Sequence, residues 1–179
     1  IASGIGGGSA DAAAALRLLT RLWAIRPWEI SLFEIAGALG ADVPACLGSQ
    51  TVFGSGVGER LQTVDIDLAG VPALLVNPDV PCPTGPVFRA WDGEDRGPLD
   101  PAGWRQGRND LEAPARALVP AIDAVLAALG PLKGVALSRM SGSGATCFAL
   151  FDDVVQRDAA AEAIRSAHPQ WWNMASELR

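Results

Sequence analysis

The chain has 179 residues, 49% of them hydrophobic, with a formal net charge of −6, a pI of about 4.7 and a mean hydropathy of +0.21. That is enough apolar material for the core of one large domain or two small ones, while the acidic balance argues against non-specific binding to nucleic acid or to acidic membrane surfaces and no apolar run is long enough to span a bilayer. The three cysteines, Cys46, Cys82 and Cys147, are odd in number and lack metal-ligand spacing, so they read as reduced thiols of a cytoplasmic protein. The single histidine, His168, lies in an Ala-His-Pro corner and makes a poor catalytic base; no zinc site and no Ser-His-Asp triad can be built.

The chain opens on Gly4, Gly6, Gly7 and Gly8, directly before a predicted helix over about 9–23. Ser9 is read as its cap, Asp11 as a first-turn acid, and Ala12, Leu16, Leu19 and Trp23 as its apolar face. Arg17 and Arg21 read as a solvent face or as late-helix charges suited to the dipole. Glycines let the backbone approach a ligand closely, and the first N–H groups of a helix lack internal partners. Together they make a seat for an anion, most often phosphate. No Lys-Ser or Lys-Thr follows the last glycine, and Ser9 stands where a dinucleotide fingerprint has its third glycine, so neither common nucleotide motif applies. The plain alternative is a tight turn that binds nothing.

Pro27 breaks the pattern. A second helix is expected over 29–39, burying Ile30, Phe33, Ile35, Ala36 and Leu39, with Gly40 as its C-terminal cap. Asp42 then stands before Val43-Pro44, either as a turn-maker bonding local N–H groups or as a working acid. Strands are predicted at 51–53 and 59–64 around a Gly-Ser-Gly-Val-Gly turn, and at 73–76. The Pro- and Gly-dense stretch 81–88 reads as a stiff loop, and 89–108 as a mobile surface loop that Trp91 and Trp104 pin down. Asn109 and Glu112 have the spacing of a capping box. A short helical piece follows, then a helix over 120–129 with Pro120 in its first turn. Strands at 134–139 and 146–151 flank Ser141-Gly142-Ser143-Gly144, which on its own reads as a hairpin turn. A helix over 154–167, begun by Asp152-Asp153, and a strand at 171–175 close the chain.

Three stretches carry a resemblance: Gly4-Ile5-Gly6-Gly7-Gly8-Ser9-Ala10-Asp11-Ala12, Leu39-Gly40-Ala41-Asp42-Val43-Pro44, and Met140-Ser141-Gly142-Ser143-Gly144-Ala145-Thr146-Cys147-Phe148. In this order they resemble the motifs of the GHMP small-molecule kinases, from Ile1 to the C-terminus. The resemblance implies an α+β fold: the back part of an S5-like N-terminal kinase domain over 1–70, then a ferredoxin-like C-terminal domain over 71–179, with ATP in the cleft between them. It implies transfer of the ATP γ-phosphate, with Mg²⁺, to the 2-hydroxyl of a cytidine-diphosphate-linked methylerythritol, a step of the non-mevalonate isoprenoid route. Mevalonate- or homoserine-type kinases, or an inactive nucleotide-binding fragment, are the rivals.

By the same resemblance Ile1, Ala2, Ser3, Gly4, Ile5, Gly6, Gly7, Gly8, Ser9 and Ala10 wrap the phosphates, and Asp42 activates the substrate hydroxyl. Gly142, Ser143, Gly144 and Ala145 line the cleft, and Thr84 and Phe88 hold the cytidine end. A core position at the start of a short helix is the alternative for Phe88. Metal ligands are not readable, Ser9 being only an option. Family members carry a segment before the first motif, with strands and an active-site lysine. The expectation is therefore that these 179 residues alone show little or no kinase activity.

Overall fold

The computed structural model describes residues 4–26, 31–56, 58 and 60–178. The chain divides into two compact units, Gly6–Asp67 and Ile1–Ile5 with Leu68–Arg179.

In Gly6–Asp67, helix α1 (Gly7–Leu22) packs with α2 (Leu32–Leu39) and α3 (Val43–Gly48) through Ala13, Ala36 and Val43. Small side chains at this junction let the helix backbones come close. α1 starts two residues before the expected Ser9, because Gly6 at φ 65° turns the chain without a side-chain cap. Arg17 does not face solvent: its Nη1 donates to the carbonyls of Cys46 at 2.9 Å and Leu47 at 3.3 Å, satisfying the open end of α3.

The second helix departs from its expected stripe. Ala36 alone is buried, while Phe33 and Leu39 are 57% and 58% exposed. With six large or small apolar residues in eight positions, periodicity could not select a face. Its expected start at 29–30 lies outside the described residues; the described cap is Ser31, whose Oγ accepts the Glu34 N–H. Gly40 closes α2 in extended rather than left-handed backbone. Strands β1 (Val52–Ser55) and β2 (Arg60–Thr63) form an antiparallel hairpin, Val52 opposite Thr63 and Ser55 opposite Arg60.

The larger unit holds a four-stranded antiparallel sheet in the order β4-β5-β3-β6, with β3 at Pro72–Asn77, β4 at Val135–Met140, β5 at Cys147–Phe151 and β6 at Trp172–Glu177. Helices α4 (Thr84–Ala90), α5 (Glu112–Leu118) and α6 (Ala121–Leu129) lie between β3 and β4, and α7 (Val154–Ala167) between β5 and β6. This is the ferredoxin-like split βαβ arrangement, so the expected α+β class holds. α6 and α7 pack on the sheet, and Leu74, Val76, Ile122, Val125, Leu129, Phe151 and Ile164 form the shared core. Burying each large side chain contributes roughly 1.5–3 kcal/mol.

Two local expectations change here. The stretch 84–88 is helical rather than a loop: Pro83 caps α4, and Pro86 falls in its first turn, where a missing N–H costs nothing. The segment between α4 and α5 is tethered by arginines: Arg108 Nη2 donates to Gly97 O at 2.6 Å and Arg139 Nη2 to Arg105 O at 3.0 Å.

Candidate functional site

The start of α1 has the properties an anion seat needs. Gly6, in the left-handed region, caps the helix, and its carbonyl accepts the Ala10 N–H at 2.9 Å. Gly7, Gly8 and Ser9 form the first turn, with no side-chain cap and no acid among them. Asp11 falls beyond that turn rather than in it as expected. Ser9 is correspondingly not the cap but the third helical residue. A Cβ built on Gly6, Gly7 or Gly8 meets nothing within 4 Å, so these glycines are not required by packing inside the protein. The expected positions Ile1, Ala2 and Ser3 lie outside the described residues.

Asp42 belongs to the same unit. It stands at the N-cap position of α3, its carbonyl accepting the Cys46 N–H at 3.1 Å. Its side chain makes no cap bond and has no partner among the described residues, and it is exposed. The turn-maker reading therefore fails: the carboxylate does not bond the local backbone. The backbone beside it is held by the buried Val43 and Pro44 that follow. Val43 shares the small core with Ala13, whereas Arg17, one turn further along α1, reaches the last carbonyls of α3. The Asp42 end of α3 thus lies towards the glycine-bearing end of α1.

In the larger unit, β4 and β5 are joined by the second glycine loop, and its backbone is tied on every side. Ser141 Oγ donates to Gly4 O at 2.7 Å, and a Cβ on Gly4 would fall 2.5 Å from Ser141 O and 2.8 Å from Gly144 O. Gly4, at φ +70°, is therefore needed for close approach of two backbones. Asn109 Nδ2 donates to Met140 O at 3.1 Å and Gly142 O at 2.8 Å, and Cys82 Sγ donates to Ser143 O at 3.2 Å. Asn77 Nδ2 holds Thr146 Oγ1 at 2.9 Å. Ser143 and Thr146 are buried.

The two thiols behind this loop stay protonated, because burial pushes Cys82 up and Cys147 up to about 12. Thr84 Oγ1 shares a hydrogen bond of 3.0 Å with Ser143 Oγ, which joins the expected substrate stretch to the loop. Phe88 is 54% exposed, and Val87 fills the core position beside it, so the core reading of Phe88 is excluded.

Sequence reasoning missed the ties. Asn109 and Glu112 do not form a capping box. Asn109 Oδ1 accepts the Leu111 N–H at 3.1 Å at the start of α5, while its Nδ2 reaches the end of β4 and the loop, as does Glu112 Oε2, which accepts the Met140 N–H at 3.3 Å. Partners about 30 residues apart leave no local spacing to read. Among the described residues no cluster of His, Cys, Asp and Glu side chains could hold a metal ion.

This geometry is accompanied by two family matches: GHMP kinases N terminal domain over residues 1–50 and GHMP kinases C terminal over residues 89–172. The chain belongs to the GHMP kinases. A relative from Rhizorhabdus wittichii, 4-diphosphocytidyl-2-C-methyl-D-erythritol kinase, is 54% identical over 184 residues, covering all of this chain and 63% of the relative. A kinase of the same name from Sphingopyxis alaskensis is also 54% identical, over 185 residues and 65% of its length. A crystal structure of 4-(cytidine 5'-diphospho)-2C-methyl-D-erythritol kinase matches with a TM-score of 0.80 at 37% identity, over 97% of this chain and 66% of that one. The chain thus spans somewhat under two thirds of the length of these curated relatives.

Proposed function

We propose that the chain carries phosphate-binding and catalytic parts of an ATP-dependent kinase that phosphorylates the 2-hydroxyl of 4-diphosphocytidyl-2-C-methyl-D-erythritol, in isoprenoid precursor synthesis. The observation that carries this reading is the open, acid-free glycine start of α1 in the same unit as an exposed, unpartnered Asp42. Residues 1–70 are read as nucleotide-binding and 71–179 as the C-terminal domain. Free cysteines fit a cytoplasmic setting, and among the described residues no helix is long and apolar enough to cross a membrane.

The residues at the α1 start fit a polyphosphate: first-turn donors, a positive dipole end, and no side chain in the way. ATP, when bound, supplies the transferred γ-phosphoryl group, with Mg²⁺ neutralising its charge. The main chain of Gly4–Ala10 holds the phosphates. Asp42 orients the substrate hydroxyl and accepts its proton as the oxygen attacks, since an alcohol is a weak nucleophile at neutral pH. Thr84 and Phe88 take the cytidine end. Of the described residues, Ser9 is the hydroxyl available to a metal ion at the phosphates.

Turnover of the full polypeptide carrying this chain, offered competing alcohols, tests the reading. Phosphorylation of the cytidine-diphosphate-linked alcohol, with mevalonate and homoserine left unmodified, is the expected result; preference for either competitor overturns it. Phe88→Ala raises KM for the cytidine-bearing alcohol by roughly 5- to 100-fold, from loss of about 1–3 kcal/mol of base stacking. KM for ATP stays within a factor of about two, and stability changes little because the ring is exposed. An equal rise in both KM values would show instead that the substitution loosens the unit.

A further inference from the structure

Helix α3 has six residues, fewer than two turns, so its own hydrogen bonds do not hold it in place. Its orientation is set at its two ends. At the start Val43 and Pro44 are buried, and Val43 shares a small core with Ala13 of α1. At the finish Ser49, in left-handed backbone, gives its N–H to Ala45 O at 3.0 Å. The carbonyls of Cys46 and Leu47 go to Arg17 Nη1, at 2.9 and 3.3 Å. A half-buried cation suits that end of a helix, where the dipole is negative.

The two attachments lie one turn apart on each helix, at Ala13 and Arg17 on α1 and at Val43 and Leu47 on α3. The helices therefore run in the same sense, and Asp42 stands at the end of the pair that carries Gly6–Ser9. Six helical residues make a strut about 9 Å long. Arg17 fixes one end of it, and Asp42 sits at the other. The Asp42 side chain makes no cap bond, so its place follows the backbone of α3. Without Arg17, α3 is anchored at Val43 and Pro44 alone and tilts about the anchor next to Asp42. A shift of about 1 Å in a reacting group costs on the order of 10²-fold in rate. We infer that Arg17 is a positioning residue for the phosphoryl transfer: about 15 Å along α1 from Gly7, it acts through α3 on the place of the Asp42 carboxylate. The inference rests on the general-base reading of Asp42 above, and adds to it the side chain that aims the base.

The test is a double-mutant cycle in the full polypeptide carrying this chain. Arg17→Met keeps the stem and removes the donors; Arg17→Lys keeps the charge and one contact. Each is made alone and with Asp42→Asn. Arg17→Met is expected to lower kcat by about 10- to 100-fold. Calorimetric affinity for a non-hydrolysable ATP analogue stays within about threefold, and Arg17→Lys gives a smaller loss of rate. In the Asp42→Asn background the same substitutions change kcat by less than about twofold, because the group they misplace no longer acts. Arg17→Lys carries the test if Arg17→Met does not fold. An equal fractional loss in both backgrounds, or a loss of analogue binding that matches the loss of rate, shows that Arg17 acts without Asp42 and overturns the inference. A normal kcat in both Arg17 variants, beside a large loss in Asp42→Asn, overturns the inference alone. A near-normal rate in Asp42→Asn overturns the general-base reading and this inference together.

Discussion

In the full polypeptide carrying this chain, Asp42→Asn lowers kcat by about 10²–10⁴-fold and leaves ATP affinity within a factor of about three, on the proposed role of this carboxylate as general base. The structure makes the substitution a clean one. The Asp42 side chain makes no cap bond to α3 and has no partner among the described residues, so an amide of the same shape removes no internal contact. Val43 and Pro44, the buried start of α3, keep the backbone in place. What is lost is the ability to take a proton from an alcohol. Steady-state kinetics in both substrates, with calorimetric binding of an ATP analogue, provides the check. A near-normal rate would remove Asp42 from the chemistry, and a parallel loss of nucleotide binding would assign it to the phosphates.

Gly8→Ala separates a ligand-binding glycine run from a tight turn that binds nothing. Gly8 is the second residue of α1, and a Cβ there meets nothing within 4 Å. In a helix, alanine is favoured over glycine by about 0.5–1 kcal/mol, so the variant is at least as stable as the parent, with Tm higher by a few degrees. If phosphate oxygens lie against the main chain, the added methyl group displaces them. Hydrogen bonds to a charged group contribute about 1.5–3 kcal/mol each, so loss of one weakens ATP binding by roughly 10- to 100-fold. Higher stability with weaker binding is the expected pair of results from thermal unfolding and calorimetry. Higher stability with unchanged binding is what an idle turn gives.

How far the chain could be read in advance depended on whether the cause was local. The last helix, expected at 154–167, spans Val154–Ala167, because its cap is a neighbour: Asp153 Oδ1 accepts the Val155 N–H. The strands of the larger sheet were legible as short apolar runs between turns. α4 was not, because Pro81, Pro83 and Pro86 look like a loop until the position of each relative to a helix start is known. The buried face of α2 was not, because tertiary packing chose Ala36 over the larger Phe33 and Leu39. At the candidate site, the glycine runs and Asp42 stand out as sequence, but the side chains that hold them do not. Asn77 meets Thr146 69 residues away, and Asn109 meets Gly142 33 residues away. Such pairs exist only once the sheet has brought β3, α5 and the β4–β5 loop together. Arg17 shows the same limit: it looks like a solvent-facing charge on one helix and works as the cap of another.

The most direct test is to resolve which main-chain amides respond when a non-hydrolysable ATP analogue is added to the full polypeptide, by amide hydrogen exchange or nitrogen-15 NMR. The account predicts the strongest protection at Gly6–Ala10. Saturable analogue binding with those amides unchanged, and protection elsewhere in the protein, would contradict it.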